Sequence, residues 1–173
     1  MQEYYRDTWA EIDLDAITHN VKQIKDLHPT KEIFAVVKAN GYGHGDAEVS
    51  KVAIEAGVSC LAVSGLDEAL RLRQSGIEVP ILVLGMTRLK DVALAAENNI
   101  SLTAHDEVWI NHLVSLPLEK KIKVHLKIDS GMHRLGLMDA NQIQTNFNLL
   151  KTAPMVEVEG IFTHMATADC DKE

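Results

Sequence analysis

Residues Ile33–Gly45 read IFAVVKANGYGHG, and this stretch governs how the rest of the chain is interpreted. Its first five residues are mostly apolar, as in a buried strand of a parallel sheet, and a glycine-rich turn follows them. Lys38 is therefore expected at the carboxyl end of a strand, where open α/β sheets and β/α barrels place their chemistry. A lysine amine that leaves an apolar wall is favoured in its neutral, nucleophilic form, which can form a Schiff base with an aldehyde cofactor.

The residue types of this turn are open to two interpretations. A lysine between a strand and a turn is often an ordinary solvated boundary residue, as charged side chains usually are. In the functional interpretation, the glycines allow a tight turn and a close approach to a ligand, and Tyr42 offers a hydroxyl to an anionic oxygen. The turn is not a phosphate-binding P-loop, because no Gly-Lys-Ser/Thr sequence follows the glycines.

Strand-like and helix-like segments alternate along the chain at short, regular intervals. Such alternation indicates βαβ units and a parallel sheet. Asp15 is the predicted N-cap of the first helix. The predicted strands are 33–37, 60–63, 81–84, 101–104, 122–128 and 155–162, preceded by a short strand over 8–14. Because a closed β/α barrel needs eight strands, we predict a parallel (β/α)8 TIM-type barrel that is incomplete, with about six βα units.

The composition excludes several classes of partner. Lys and Arg number 17 against 25 Asp and Glu, so the formal net charge is −8, which argues against nucleic acid or a membrane surface as the main partner. The sequence shows no signal peptide and no apolar run of about 20 residues, and Cys60 and Cys170 are too few for a disulfide framework. We therefore predict a cytoplasmic protein. Its eight histidines form no HExxH or HxH pattern, so no metal site is predicted.

A second informative stretch, Val124–Gly136, reads VHLKIDSGMHRLG. A predicted strand delivers Lys127 and Asp129 on one face, and Arg134 follows a turn. These charges could form a simple ion pair beside a solvated arginine. His164 ends the last predicted strand, where a lone histidine is more often a hydrogen-bonding residue than a catalyst.

The strings themselves resemble one known family. Lys-Ala-Asn-Gly-Tyr-Gly-His-Gly, beginning at Lys38, resembles the pyridoxal-phosphate attachment motif of the alanine racemase family. Lys-x-Asp-Ser-Gly-Met-x-Arg-x-Gly, beginning at Lys127, resembles a second motif of these fold-type III enzymes, and Trp9–Asp15 resembles their N-terminal signature. The similarity runs from Trp9 to His164 with the motifs in the family's order.

The resemblance implies a role for each residue of the predicted site. Lys38 would hold the cofactor as an imine and act as the catalytic base on one face of the substrate. Tyr42 would help to hold the cofactor phosphate. Lys127 would be carbamylated on its amine and would hold Arg134 near the cofactor phenolic oxygen and the substrate carboxylate. His164 would lie near the cofactor ring in a supporting hydrogen-bond network.

For the whole protein, the resemblance implies interconversion of L- and D-alanine through a cofactor-stabilised carbanion, which supplies D-alanine for peptidoglycan. Residues 1–173 would be the N-terminal barrel portion, without the family's C-terminal β domain. A homodimer is expected, in which the partner subunit supplies the second catalytic base. Two alternatives remain: a serine racemase domain of a longer membrane protein, and a barrel protein that binds pyridoxal phosphate without racemase activity.

Overall fold

The computed structural model describes Tyr5 and residues 7–170 of the 173-residue chain. Six strands form one sheet in sequential order, and every neighbouring pair is parallel. The strands are β1 Phe34–Val36, β2 Cys60–Val63, β3 Ile81–Val83, β4 Ile100–Ala104, β5 Ile122–Ile128 and β6 Val156–Thr163. The helices are α1 Leu14–Leu27, α2 Lys38–Tyr42, α3 Asp46–Glu55, α4 Leu66–Gln74, α5 Val92–Glu97, α6 Glu107–Leu113 and α7 Ala140–Thr152, and a 3₁₀ turn covers Leu89–Asp91.

The six predicted βα strands are confirmed, but the predicted strand over 8–14 is wrong. Residues 8–13 are irregular, and α1 begins at Leu14. A strand needs a neighbour for its N–H and C=O groups, and no described strand lies beside this segment. Asp13, rather than Asp15, caps the helix, because its carboxylate accepts the Ala16 N–H at 3.0 Å.

The hydrophobic core lies between the sheet and its covering helices. Every residue of β2, β3 and β4 is buried, which is the pattern of parallel strands covered on both faces. A fully buried Leu or Ile stabilises the fold by roughly 1.5–3 kcal/mol. The largest side chains of this core include Leu61, Leu72, Ile81, Ile100, Leu102, Ile110, Ile122, Leu126 and Leu150.

The sheet curves toward a barrel whose two edges are β1 and β6. The Phe34 ring on β1 lies 6.1 Å from the His125 ring on β5, centroid to centroid, although three strands separate them in the sheet. A cavity of about 430 Å³ lies along the inner face, lined by residues of β1 and β6 among others. Phe34 is 40% exposed and Ile161 is 56% exposed, so both edges present apolar surface. Because all six strands are parallel neighbours in one sheet, their carboxyl ends lie on one rim of this barrel.

Arg73, near the end of α4, joins three segments of backbone. Its guanidinium donates to the carbonyl oxygens of Ile77 and Val79, both at 2.8 Å, and to those of Asn98 at 3.0 Å and Asn99 at 2.9 Å. Burial lowers the pKa of Arg73, against the opposing field of Glu78. The arginine thus connects α4 to the backbone segments that directly precede β3 and β4.

We expect Arg73→Ala to lower the free energy of unfolding by about 2–4 kcal/mol, because four carbonyl oxygens lose a charged donor. Chemical denaturation of the purified protein measures this change. Arg71→Ala is the matched control: among the described residues its guanidinium pairs with Asp46 alone, at 3.5 Å, and a pair of this kind near the surface contributes about 0–1 kcal/mol. Equal losses of unfolding free energy in the two variants would contradict the stabilising role assigned to Arg73.

Candidate active site

The turn that carries Lys38 is left-handed. After β1, the φ angles of Ala39, Asn40, Gly41 and Tyr42 are 51°, 55°, 60° and 55°. The Gly41 N–H donates to the carbonyl oxygen of Val37 at 2.9 Å, so the chain turns sharply at the strand end. Left-handed geometry costs roughly 1–2 kcal/mol for each L-residue that carries a Cβ. Strain of this kind persists only where neighbouring groups hold it.

Two side chains inside the motif support this turn. The side-chain carbonyl oxygen of Asn40 accepts a hydrogen bond from the Asp46 N–H at 3.2 Å. This bond joins the turn to the first residue of α3. A ring nitrogen of His44 lies 2.9 Å from the Gly41 carbonyl oxygen. Asparagine also tolerates the left-handed region better than most residues. Residues of the motif itself therefore stabilise the left-handed turn, which places Lys38 at the rim.

Lys127 lies near the end of β5 and is only 6% exposed. Its amine donates to the carbonyl oxygen of Ile128 at 3.1 Å and lies 5.0 Å from the centroid of the Phe162 ring. Burial lowers the pKa of this amine; Asp129 opposes the shift and the positive charge of Arg134 adds to it. The neutral amine is thereby more accessible than in an exposed lysine.

The loop that carries Arg134 returns to the end of β5. The Leu137 N–H donates to the Lys127 carbonyl oxygen, and the Asp129 N–H donates to the Leu137 carbonyl oxygen, both at 2.9 Å. The Asp129 carboxylate accepts the N–H groups of Gly131 at 2.9 Å and His133 at 3.0 Å, and these bonds lower the pKa of Asp129. The carboxylate thus shapes the loop, and no Lys127–Asp129 ion pair is found in the described part of the chain.

All five residues of the predicted site line one cavity of about 250 Å³ at the carboxyl ends of the strands. The Lys38 amine lies 5.9 Å from the centroid of the Tyr42 ring. His164 is exposed and follows β6 directly. Among the described residues that line this cavity there is no carboxylate. The members of the predicted site are Lys38, Tyr42, Lys127, Arg134 and His164, and the other lining residues are Val36, Ser64, Leu84, Gly85, Leu135 and Phe162.

Ser64 and Gly85 were not among the predicted site residues. Each follows its strand, β2 or β3, as Lys38 follows β1. This shared position could have identified both as site residues from the sequence, because the carboxyl ends of parallel strands meet at one rim. Their residue types carry no distinctive chemistry, so no motif marks them.

A polar network lies inside the barrel on β4, β5 and β6. Glu159 accepts hydrogen bonds from the Ser101 hydroxyl at 2.5 Å and the Lys123 amine at 3.0 Å, and His125 lies 3.6 Å away. Burial raises the pKa of Glu159, but these two bonds and the nearby positive charge hold it below its usual value. Burial also lowers the pKa of His125, against the field of Glu159. This network joins β4, β5 and β6.

Within residues 7–170 and Tyr5, no group of three or more His, Cys, Asp or Glu side chains is arranged to hold a metal ion. No helix of the same residues is long and apolar enough to cross a membrane.

Comparison with known proteins identifies the family. The sequence profile described as "Alanine racemase, N-terminal domain" matches residues 12–173. The chain belongs to the alanine racemase family. It is 52% identical to the alanine racemase of Geobacillus kaustophilus over 171 residues, and 47% identical to alanine racemase 1 of Bacillus subtilis over 167 residues. These alignments cover 98% and 96% of this chain but only 44% and 43% of the relatives, so the chain spans less than half of their length.

Solved structures of alanine racemases share the same barrel portion. The alanine racemase of Bacillus anthracis with bound L-Ala-P superposes with a TM-score of 0.92 at 46% identity, covering 99% of this chain and 45% of that one. A histidine racemase from Leuconostoc mesenteroides gives a TM-score of 0.87 at 34% identity, covering 92% and 44%. Racemases named for different amino acids therefore share this fold.

The residues of the cavity fit the cofactor of the alanine racemase family, which is pyridoxal phosphate. The cofactor is an aldehyde that carries a phosphate, so it needs an amine and anion-binding groups. Lys38, Lys127 and Arg134 supply such groups, and no carboxylate among the described lining residues opposes them. Leu84 and Phe162 add apolar surface suited to a planar ring.

Proposed function

We propose that this chain is the N-terminal barrel portion of an alanine racemase, which interconverts L- and D-alanine. The supporting observation is that the five residues predicted from three separate stretches of sequence line one cavity without a carboxylate. When bound, pyridoxal phosphate supplies the electron sink that stabilises the negative charge left on Cα after proton removal. The protein supplies orientation and the groups that move the proton.

In this proposal Lys38 has two roles. Its amine would hold the cofactor covalently, and the free amine would take the proton from Cα of the substrate on one face, or return it. The left-handed turn aims the amine into the cavity. Tyr42, whose ring centroid lies 5.9 Å from that amine, would help to hold the cofactor phosphate through a hydrogen bond from its hydroxyl group.

Arg134 and Lys127 form the second part of the proposed site. The guanidinium would bind the carboxylate of the substrate and the phenolic oxygen of the cofactor, for which a planar donor pair is well suited. Lys127 is carbamylated: the neutral amine forms a N–C bond with carbon dioxide and releases one proton. The resulting anion faces the positively charged Arg134 and holds it in place. His164 adds a hydrogen-bonding group at the rim.

The pKa shift of Lys127 predicts how bicarbonate affects stability. Its pKa in the folded chain is below the unfolded value of 10.5, so the folded chain binds fewer protons between these two values. The stability contribution of this lysine therefore falls as the pH drops through that interval, and the full penalty is present below the pKa of the folded chain. Carbamylation removes it, so we expect bicarbonate to raise the unfolding temperature by about 2–5 °C at pH 8.

Isotope-labelled bicarbonate tests this expectation through the carbamate carbonyl signal in nuclear magnetic resonance spectra and through thermal unfolding. Lys127→Met should lose both the signal and the stabilisation. Lys51→Met, which removes an exposed amine paired with Glu48, should keep both. A carbamate signal of equal size in Lys127→Met would assign the modification to another amine.

The architecture of the whole protein is also part of this proposal. The open edges β1 and β6 leave room for two further βα units, which would complete a barrel of eight strands. The greater length of the relatives supports such units and a C-terminal β domain. A homodimer in which the partner subunit supplies the second catalytic base, and a cytoplasmic location, complete the proposal.

Proton exchange at Cα of the substrate tests the proposed function. The full-length protein, of which this chain would be the N-terminal portion, is loaded with pyridoxal phosphate in deuterated water and given L-alanine, L-serine or L-histidine. We expect deuterium incorporation and formation of the D-isomer with alanine as the preferred substrate. Preference for serine or histidine would overturn the assigned substrate, and cofactor binding without exchange would identify a barrel protein that is no racemase.

A further inference from the structure

Glu68, on the first turn of α4, binds two different loops of the rim. One carboxylate oxygen accepts the Ala39 N–H at 2.7 Å, across 29 residues of sequence. The other oxygen accepts the N–H groups of Ser64 at 2.7 Å and Gly65 at 3.2 Å. The carboxylate therefore bridges the turn that carries Lys38 and the loop that carries Ser64.

The contact to Ala39 exceeds what a helix cap requires. A glutamate three residues after an N-cap commonly accepts the N–H of that N-cap, here Gly65, and so closes its own helix. That task needs one oxygen and no partner outside α4. The second oxygen instead reaches the residue next to Lys38. No Lys, Arg or His among the described residues forms an ion pair with Glu68, so backbone N–H groups are the partners of its negative charge.

The bond to Ala39 is made where the chain departs from its preferred geometry. Ala39 has a φ of 51°, which is unfavourable for a residue with a Cβ, and it is the first left-handed residue after Lys38. The peptide group between these two residues sets the direction in which the Lys38 side chain leaves the backbone. A charged acceptor on the Ala39 N–H holds that peptide group in one orientation.

We infer that Glu68 is a positioning residue for Lys38. It accepts the Ala39 N–H, holds the left-handed turn, and keeps the Lys38 amine at a fixed distance from the Ser64 side of the cavity. This inference rests on the proposed function for the role of the amine, but the holding of the turn is independent of it. Without the carboxylate, the Ala39 N–H loses its partner and the turn relaxes toward less strained angles.

The test compares Glu68→Ala, Glu68→Gln and the control Asp67→Asn in the protein. Asp67 is a neighbouring acid in the same helical turn, and it makes no hydrogen bond to the Lys38 turn. Glu68→Gln keeps one acceptor oxygen and remains usable if Glu68→Ala does not fold. Two quantities are measured: hydrogen exchange at the amides of residues 39–43 and of the central strands, and the rate at which added pyridoxal phosphate reacts with Lys38 as a function of pH.

We expect amide exchange in residues 39–43 to accelerate at least about tenfold in Glu68→Ala, with unchanged exchange at Leu102 and Val124. Glu68→Gln should lie between Glu68→Ala and the unsubstituted protein. The reaction of Lys38 with the cofactor should slow about tenfold in Glu68→Ala, with a displaced pH profile. Asp67→Asn should match the unsubstituted protein in both measurements.

The outcomes separate this inference from the proposed function. Unchanged exchange at the turn, or equal acceleration in the turn and the central strands, would overturn the positioning role and leave a general stabilising one. An unchanged rate and pH profile at Lys38, with a loosened turn, would overturn the link to the amine. Absence of any cofactor adduct at Lys38 in the unsubstituted protein would instead overturn the proposed function, while the exchange data would still decide whether Glu68 holds the turn.

Discussion

Replacing Lys38 by alanine in the full-length protein is expected to lower the rate of alanine racemisation at least about 1,000-fold, because in the proposed function one residue both holds the cofactor and moves the proton. Lys38→Ala should also lose the visible absorbance that the unsubstituted protein gains with pyridoxal phosphate. The fold should survive, because the Lys38 side chain lines an open cavity and is not part of the core. Absorbance spectra and formation of the D-isomer measure the two effects.

Two further variants make this result specific. Lys38→Arg keeps the positive charge but cannot bind the aldehyde covalently, so it should be as inactive as Lys38→Ala. Lys51→Ala removes an exposed amine on α3 and should retain both the absorbance and the activity. A visible absorbance in Lys38→Ala equal to that of the unsubstituted protein would show that another lysine holds the cofactor.

Gly136→Ala is expected to disturb the structure of the site strongly. Gly136 has a φ of 121°, and a Cβ built on it would lie 2.6 Å from the Asp129 nitrogen and 2.8 Å from the Ile128 carbonyl carbon. Both atoms belong to the backbone of the loop and of β5, so neither can rotate away. We expect the free energy of unfolding to fall by about 2–4 kcal/mol and the Arg134 loop to separate from the end of β5.

Gly131→Ala is the matched control for this prediction. Gly131 has a similar φ of 129°, but a Cβ on it meets only the Ala166 Cβ, at 3.8 Å. It therefore carries the conformational strain without the collision and should cost about 1–2 kcal/mol. Chemical denaturation and the affinity for pyridoxal phosphate separate the two variants. If both lose equal stability and equal affinity, the close approach of Gly136 to β5 does not determine the position of Arg134.

The strands and the Lys38 motif were predictable because their signals are local. Apolar runs bounded by glycine or polar residues mark β2 to β5 within one or two residues of their observed bounds. The segment over 8–14 shows the limit of this reasoning. Its alternation of apolar and polar residues resembles a strand, but strand formation depends on a neighbour, and the Asp13 carboxylate begins a helix there instead.

The sequence by itself determined the family, the six-strand parallel architecture and five candidate site residues, because each is written in a contiguous run of residue types. The lowered pKa of Lys127 and the bridging carboxylate of Glu68 were decided only by the tertiary structure. Each depends on groups far apart in the chain that folding brings together. Backbone N–H orientation, burial and the charge of neighbours are properties of that assembled environment, and no local pattern of residue types encodes them.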